Sequence, residues 1–391
     1  MSERKYDVVV VGCGPAGNTV AYRLASAGVR VLMVEKEGLP RQKVCGGGLS
    51  RKTLAELPFS VAPVIEREIA GTTIAFRARD PIYLDQPGIG AMVQRDRFDH
   101  FMTQKAVGAG ATLWDACAFG RFEASGDAIV AHTGRGRAGA RVLVGADGVQ
   151  SPVRRQLYPG RPMMLVPALE ALVVPRPGML ELLGGTCVFD LGAIPSGYAW
   201  VFPKRDHFNI GLYRFRKRRN NLAMKQLLDD FIANTKILRD PHTVTAKAQS
   251  IPIKAVAKSL AKGRVVLVGD AGGVGEAFYG EGIYYAVRSA NLAATAILGD
   301  LSGRADLAAY DRAMRPLHRN LAYARLTARL FYLSPRLAFR VAVPNPRVSA
   351  LFAGVIAGTV SPARCFWSFL LLTPHWLTAK RMEPIRSPLF D

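Results

Sequence analysis

Near its start the chain carries a segment that leaves little choice of fold. Asp7 to Val11 (DVVVV) reads as a buried strand, runs straight into Gly12-Cys13-Gly14-Pro15-Ala16-Gly17, and is followed by a helical pattern through Ala27. The three glycines have separate tasks in such a strand, turn and helix. Gly12 permits the tight turn, Gly14 lets the backbone approach a pyrophosphate, and Gly17 lets helix and strand pack closely, with the helix N-terminus facing the phosphates. A second apolar strand, Arg30 to Val34, ends at Glu35-Lys36. An acid about 20 residues beyond such a turn accepts hydrogen bonds from an adenosine ribose. The expectation is a dinucleotide site on a Rossmann-like sheet.

A late segment decides which dinucleotide. Arg264 to Val268 is another apolar strand; it ends in Gly269-Asp270-Ala271, and a glycine-rich stretch then leads to a helix-periodic run from Ile283 to Leu298. An aspartate at the carboxyl end of a parallel strand accepts hydrogen bonds from a polyol, and a following helix N-terminus stabilises negative charge on a ring. A ribityl chain and a reduced flavin fit those two demands, whereas a nicotinamide dinucleotide has no ribityl chain. The cofactor expected is FAD.

With those residues in place the chain resembles the geranylgeranyl reductase family of FAD-dependent oxidoreductases, which share the p-hydroxybenzoate hydroxylase fold. The superfamily likeness rests on Gly12 to Gly17 with Glu35, Arg95 to Asp99, Ala146-Asp147-Gly148, and Gly269-Asp270 with Gly280-Glu281-Gly282. Lys43 to Gly48 (KVCGGG) and Pro195 to Lys204 (PSGYAWVFPK) look like the reductase family itself. The likeness covers about residues 5 to 320 and thins beyond. It implies an α/β fold: a Rossmann-like FAD-binding domain, an antiparallel β-sheet substrate domain and a helical C-terminal segment. It also implies saturation of carbon–carbon double bonds in an isoprenoid chain by hydride from reduced FAD. An oxygen-using hydroxylase or epoxidase, or a halogenase, on the same fold is the rival. A non-catalytic flavoprotein docking at membranes is a reading from another class.

The expected organisation is discontinuous. Residues 1–55, 91–155 and 255–325 build the FAD-binding domain. Residues 56–90 and 156–254, rich in short β-like runs, build the substrate domain, with Leu222 to Ile237 as a helix on its sheet. Residues 326–391 form the helical C-terminal segment.

Composition narrows the setting. At 391 residues, 49% hydrophobic and 21% charged, the chain suits a large globular core. Five scattered cysteines lack metal-ligand spacing, so neither a disulfide framework nor a metal site is expected. The N-terminus has no secretory pattern, and the expected location is cytoplasmic. The net charge of +22 attracts polyanions, among them anionic lipid headgroups and diphosphate substrates. Arg216 to Arg219 is the densest basic cluster, read as a solvated loop, with no nucleic-acid motif around it. From Arg312 to Asp391 there are 12 Lys or Arg and two acids, interleaved with aromatic residues. That mixture suits a membrane interface, and equally a helical cap packed on its own core. The apolar run Cys365 to Leu372 is far short of the roughly 20 residues that span a bilayer.

Candidate site residues follow. Gly12, Gly14, Pro15, Ala16, Gly17, Glu35 and Lys36 serve the adenosine and pyrophosphate end. Asp270, after Gly269, serves the ribityl hydroxyls, and Asp147-Gly148 the region between; a simple turn role for Asp147 is the alternative. The resemblance places an arginine against the cofactor at Arg95, with Arg97 its competitor. Gly280, Gly282 and Ile283 allow close approach to the ring and present a helix N-terminus to it. Glu281 has no assigned direction. The resemblance puts Cys45, Gly46 and Gly47 beside the flavin near the substrate, where the thiol would position or protonate; a small residue in a glycine-rich loop is the bland alternative. Tyr198, Trp200 and Phe202 alternate along one strand and share a face, either as an aromatic wall for an apolar chain or as a core stripe. Lys204 reads as an exposed strand end. The expected partners are an isoprenoid or other apolar substrate and an electron donor, NADPH or a ferredoxin-like protein. No residue is assigned by spacing as proton donor.

Overall fold

The computed structural model describes residues 6–215, 224–241, 243–371 and 381–387. Val8–Val11 and Val31–Val34 form adjacent parallel strands whose eight side chains are all buried. Unbroken apolar runs of this kind mark strands covered on both faces. They lie at the centre of a six-stranded sheet ordered Ala261–Lys262, Val265–Leu267, Val142–Gly145, Val8–Val11, Val31–Val34, Thr112–Trp114, parallel apart from its first short strand. The strand ends at Val11, Val34, Gly145 and Leu267 therefore point the same way, and the turns that follow converge on one edge.

Helix Pro15–Ala25 leaves the first of these turns and packs against Arg95–Gly108 and Ile283–Leu301. The close approach requires glycine at position 17, where a Cβ would stand 1.9 Å from the carbonyl oxygen of Gly12. A three-stranded antiparallel sheet, Phe119–Ser125, Ala128–Thr133 and Gly136–Ala140, joins the same core through Phe119, Phe122, Ile129 and Ala138.

The second large sheet has eight strands, ordered Thr243–Pro252, Leu165–Val174, Phe208–Arg214, Gly197–Pro203, Thr186–Asp190, Ile65–Phe76, Arg79–Val93, Gly48–Ser50. Its pairings are antiparallel except that Thr186–Asp190 runs parallel to Ile65–Phe76. Alternation assigns its faces. Leu169, Ala171, Val173, Ala199, Val201, Phe208, Ile210 and Leu212 point to one side and are buried with Leu227, Leu228, Phe231 and Ile232 of helix Met224–Asn234. Their neighbours in sequence necessarily point to the other side, toward the six-stranded sheet. The expected helix from Leu222 is thus observed over Met224–Asn234; residue 222 and the cluster Arg216 to Arg219 lie outside the described residues.

Among the described residues four helices follow: Ala308–Phe331, Pro335–Ala342, Pro346–Ala357 and Pro362–Leu371. Phe331, Tyr332, Phe339 and Val343 are buried in one cluster with Tyr198, Tyr213 and Phe278, so these helices cap the junction of the two sheets. Phe331, Phe339 and Phe352 serve that packing, while Leu330, Leu333, Leu337, Trp367 and Leu371 remain exposed. No helix among the described residues is long and apolar enough to cross a membrane.

Candidate functional site

A cavity of about 880 Å³ runs between the two large sheets. Gly12, Gly14, Pro15, Ala16, Glu35 and Lys36 line one end; Cys45, Gly46, Gly47, Arg95, Asp147, Gly148, Asp270, Gly280, Gly282 and Ile283 line its middle; and Tyr198, Trp200 and Phe202 line the far wall. Two expected cofactor residues lie beneath the lining instead. Gly17 supports the helix as described, and Gly269 donates its N–H to Ser289 Oγ at 3.0 Å, tying the late turn to helix Ile283–Leu301. Among the described residues no group of side chains is arranged to hold a metal ion.

Glu35 is fixed in place by its own turn. It accepts the Cys13 N–H at 2.9 Å and the Glu37 N–H at 3.3 Å, and Arg41 Nε lies 3.3 Å away. Arg41 also reaches Asp99 at 3.0 Å, and Asp99 is gripped on both oxygens by Arg95 at 2.8 Å. The competitor Arg97 points away, half exposed, and pairs with Glu66 at 3.0 Å. Of the two arginines only Arg95 lines the cavity.

Asp147 and Asp270 present buried carboxyls to the middle of the cavity. Asp147 Oδ2 accepts the Val153 N–H at 3.1 Å, whereas Oδ1 is buried without a partner. Burial pushes this carboxyl up to about 6. Burial also raises Asp270, against the opposing pull of Lys43 and Arg95. A buried acceptor without a partner costs on the order of 1–3 kcal/mol. A polar ligand lying along the cavity would supply the missing donors, and two acids flanking a glycine turn and a ribose-type acid fit FAD.

The segment 276–282 forms the cavity's inner edge and is strapped down from three sides. Tyr213 donates to the Ala277 carbonyl at 2.6 Å, Tyr332 to Phe278 at 2.7 Å, and Tyr198 to Tyr279. Glu276 accepts the N–H groups of Phe278 and Tyr279 at 2.7 and 2.6 Å, and burial raises its carboxyl to about 7. Glu281, unassigned from sequence, lines the cavity and is held by Ser50 Oγ and Lys52 Nζ, each at 2.6 Å. Gly282 then caps helix Ile283–Leu301, whose free N–H groups face the cavity as a positive dipole end.

Opposite that edge lies the Cys45 loop. Gly47 donates its N–H to Cys45 Sγ at 3.4 Å, and a Cβ on Gly46 would stand 2.9 Å from the Phe202 ring. Lys204 corrects the sequence expectation. It is fully buried, because its side chain turns inward and donates to the carbonyls of Gly46 at 2.8 Å and Val93 at 2.9 Å. Those carbonyls offset part of the desolvation, yet burial still pulls its ammonium down to about 8.

Tyr198, Trp200 and Phe202 are both wall and core stripe: they line the cavity and pack on one another and on Phe189. Trp200 is ordered by its Nε1–H, which donates to Asn209 Oδ1 at 2.9 Å. Gly211 makes room for the indole, since a Cβ there would meet Trp200 at 2.3 Å. The wall is therefore rigid, apolar and concave, with few polar atoms facing inward.

Comparison with known proteins decides the family. Residues 5–322 match the family described as FAD binding domain. Geranylgeranyl diphosphate reductase of Oryza sativa subsp. japonica is 30% identical over 361 residues, covering 82% of this chain and 74% of the rice protein. The chain belongs to the geranylgeranyl reductase family of FAD-dependent oxidoreductases. Digeranylgeranylglycerophospholipid reductase of Methanocella arvoryzae is 29% identical, with 80% of this chain and 83% of that protein covered. A geranylgeranyl bacteriochlorophyll reductase-like protein of Thermoplasma acidophilum shares the fold at a TM-score of 0.79 and 22% identity, over 96% of this chain and 98% of that one. The cofactor of this reductase-family protein is accordingly FAD.

Among the charged lining residues of the reductase-family cavity that have no role assigned from sequence are Arg41, Lys43, Glu170 and Glu281. Glu170 carries a readable signal, being the one charge in the strand Leu165–Val174. Arg41 carries none, because its partners Glu35 and Asp99 are far apart in the chain.

Proposed function

We propose that this flavoprotein saturates carbon–carbon double bonds of an isoprenoid chain. The carrying observation is the aromatic wall Phe189, Tyr198, Trp200 and Phe202, which lines one cavity together with the Cys45 loop and the Gly280–Gly282 edge. An unpolarised alkene needs such a place: dry, apolar and shaped along a chain. FAD, when bound, supplies the two-electron reduction, and the protein supplies orientation and exclusion of water. In this reading Gly12, Gly14, Pro15, Ala16, Glu35 and Lys36 hold the adenosine and pyrophosphate. Arg95, Asp147, Gly148 and Asp270 hold the central portion, and Gly280, Gly282 and Ile283 carry the ring end. Cys45, Tyr198 and Trp200 contact the substrate. The similarity to the rice geranylgeranyl diphosphate reductase and the Methanocella digeranylgeranylglycerophospholipid reductase supports an isoprenoid with a diphosphate or glycerophospholipid headgroup.

The segments 1–55, 91–155 and 255–325 act as the FAD-binding domain, 56–90 and 156–254 as the substrate domain, and 326–391 as the helical cap. Electrons come from NADPH or a ferredoxin-like donor, whichever reduces the bound flavin rapidly in stopped-flow mixing. The exposed Leu330, Leu333, Leu337, Trp367 and Leu371, within a strongly basic segment, support peripheral attachment of a cytoplasmic enzyme to an anionic lipid surface. The activity is tested by oxidising the anaerobically reduced enzyme with a prenyl diphosphate and weighing the product.

A further inference from the structure

We propose that Glu170 donates the proton that completes the reduction, an inference that rests on the reductase reading above. Glu170 stands in the strand Leu165–Val174 in one cross-strand row with Gly211 and Trp200. All three therefore project from the same face of the sheet, and Glu170 lines the cavity beside the indole. Its Oε2 is buried and has no hydrogen-bond partner. The backbone of Cys45 and the side chain of Asn209 favour the charged form of this carboxyl, and Asn209 is itself fixed by Trp200.

Most other cavity groups with a dissociable proton are committed elsewhere. Tyr198, Tyr213 and Tyr279 donate to the carbonyls of Tyr279, Ala277 and Phe352. Glu281 is locked by Ser50 and Lys52, and Glu35 by its own turn and Arg41. Asp147, with one oxygen on the Val153 N–H and the other unpartnered, lines the middle of the cavity assigned above to the cofactor, and Asp270 there has the cations Lys43 and Arg95 beside it. The thiol of Cys45 is the competitor. The charged groups facing Glu170 are Lys204 and Arg95; Lys247, next in its row, is tied to Gln42. Burial raises the Glu170 carboxyl, and this outweighs the pull of those two cations.

The step balances as follows. The alkene π bond breaks as one carbon receives a hydride, with its two electrons, from the reduced flavin, which is thereby oxidised. The Glu170 O–H bond breaks and its proton goes to the other carbon. The carboxylate regains a proton from water, and the external donor re-reduces the flavin.

The test compares wild type, Glu170→Gln, Glu170→Asp and Cys45→Ser. The Gln variant is expected to bind FAD and to be reduced by dithionite like wild type, and to bind geranylgeranyl diphosphate within about threefold. Its reoxidation by that alkene falls by about 100-fold or more, the range of general-acid catalysis, with part of the rate restored by Asp. The wild-type rate falls as pH rises through the carboxyl pKa, and the residual Gln rate does not. In flavin-free protein, the Gln variant lacks an infrared carboxylic acid C=O band that in wild type persists to higher pH than that of an exposed glutamate.

A Gln variant that keeps the wild-type rate, loses only substrate affinity, or leaves the infrared band unchanged overturns the donor role. So does a 100-fold loss with a flattened pH profile in Cys45→Ser alone. If Gln does not fold, a wild-type rate independent of pH overturns it, and a falling rate whose midpoint moves in Asp supports it. A wild type that prenyl substrates never reoxidise overturns the reductase reading itself, and the donor role with it.

Discussion

Lys204 donates its ammonium to the carbonyl of Gly46 at 2.8 Å, and so bolts the wall strand of the eight-stranded sheet to the loop that carries Cys45. The bond joins residues 158 apart in sequence. A second bond, to Val93 at 2.9 Å, fixes the place where the chain passes from that sheet into helix Arg95–Gly108.

Replacing Lys204 by Met removes both bonds and also removes a buried charge. The two effects on global stability oppose each other, so the melting temperature of flavin-free protein should move by only a few degrees. The loop, however, loses its tether. One charge-assisted bond contributes about 1.5–3 kcal/mol, so the dissociation constant for FAD should rise roughly 10-fold or more, measured by fluorescence titration.

Gly211→Ala tests the wall. A Cβ there meets Trp200 at 2.3 Å and the Leu169 carbonyl oxygen at the same distance, and Trp200 has to tilt into the cavity. Overpacking of this kind costs about 1–3 kcal/mol. The expected outcome is unchanged FAD content with KM for a prenyl substrate raised about 10-fold, read by steady-state kinetics.

Glu276 predicts a pH effect whose sign is fixed by its environment. Burial raises its folded-state carboxyl to about 7 from an ordinary 4.5. The folded state therefore holds this proton more tightly than the unfolded state, and the resulting stability is present below about pH 4.5 and lost as pH rises through 7. Glu276→Gln cannot ionise. It should be less stable than wild type at pH 5, by about 1 kcal/mol for an imperfectly replaced hydrogen bond. At pH 8 the difference should shrink or reverse, in denaturant titrations of flavin-free protein at both pH values.

The exposed apolar residues of the terminal helices predict lipid binding. Wild-type protein should sediment with vesicles containing anionic phospholipid at low salt, and much less with neutral vesicles. Leu333→Ser combined with Leu337→Ser should weaken sedimentation without altering FAD content. Equal sedimentation of variant and wild type would remove the lipid-facing role of these helices.

Contiguous signals were legible in the sequence, and distant partnerships were not. The turn at Gly12 to Gly17, the acid at Glu35 and the late Asp270 could be read because strand, turn and helix follow one another within about 20 residues. The shared face of Tyr198, Trp200 and Phe202 followed from strand alternation. Lys204 was misread, because whether a strand-end lysine turns outward or inward depends on carbonyls supplied by Gly46 and Val93. Glu281 had no readable direction for the same reason: Ser50 and Lys52 lie more than two hundred residues away. The parallel pairing of Thr186–Asp190 with Ile65–Phe76 inside an otherwise antiparallel sheet is likewise set by the crossover, and neither strand announces it.

The most direct test of the account is a single turnover without oxygen. Purified protein loaded with FAD is reduced by dithionite under argon, freed of excess reductant and mixed with geranylgeranyl diphosphate or its glycerophospholipid ether. The account predicts that flavin absorbance returns and that the product gains two mass units for each bond saturated. Flavin that stays reduced until oxygen is admitted, followed by a product heavier by one oxygen atom, would contradict it.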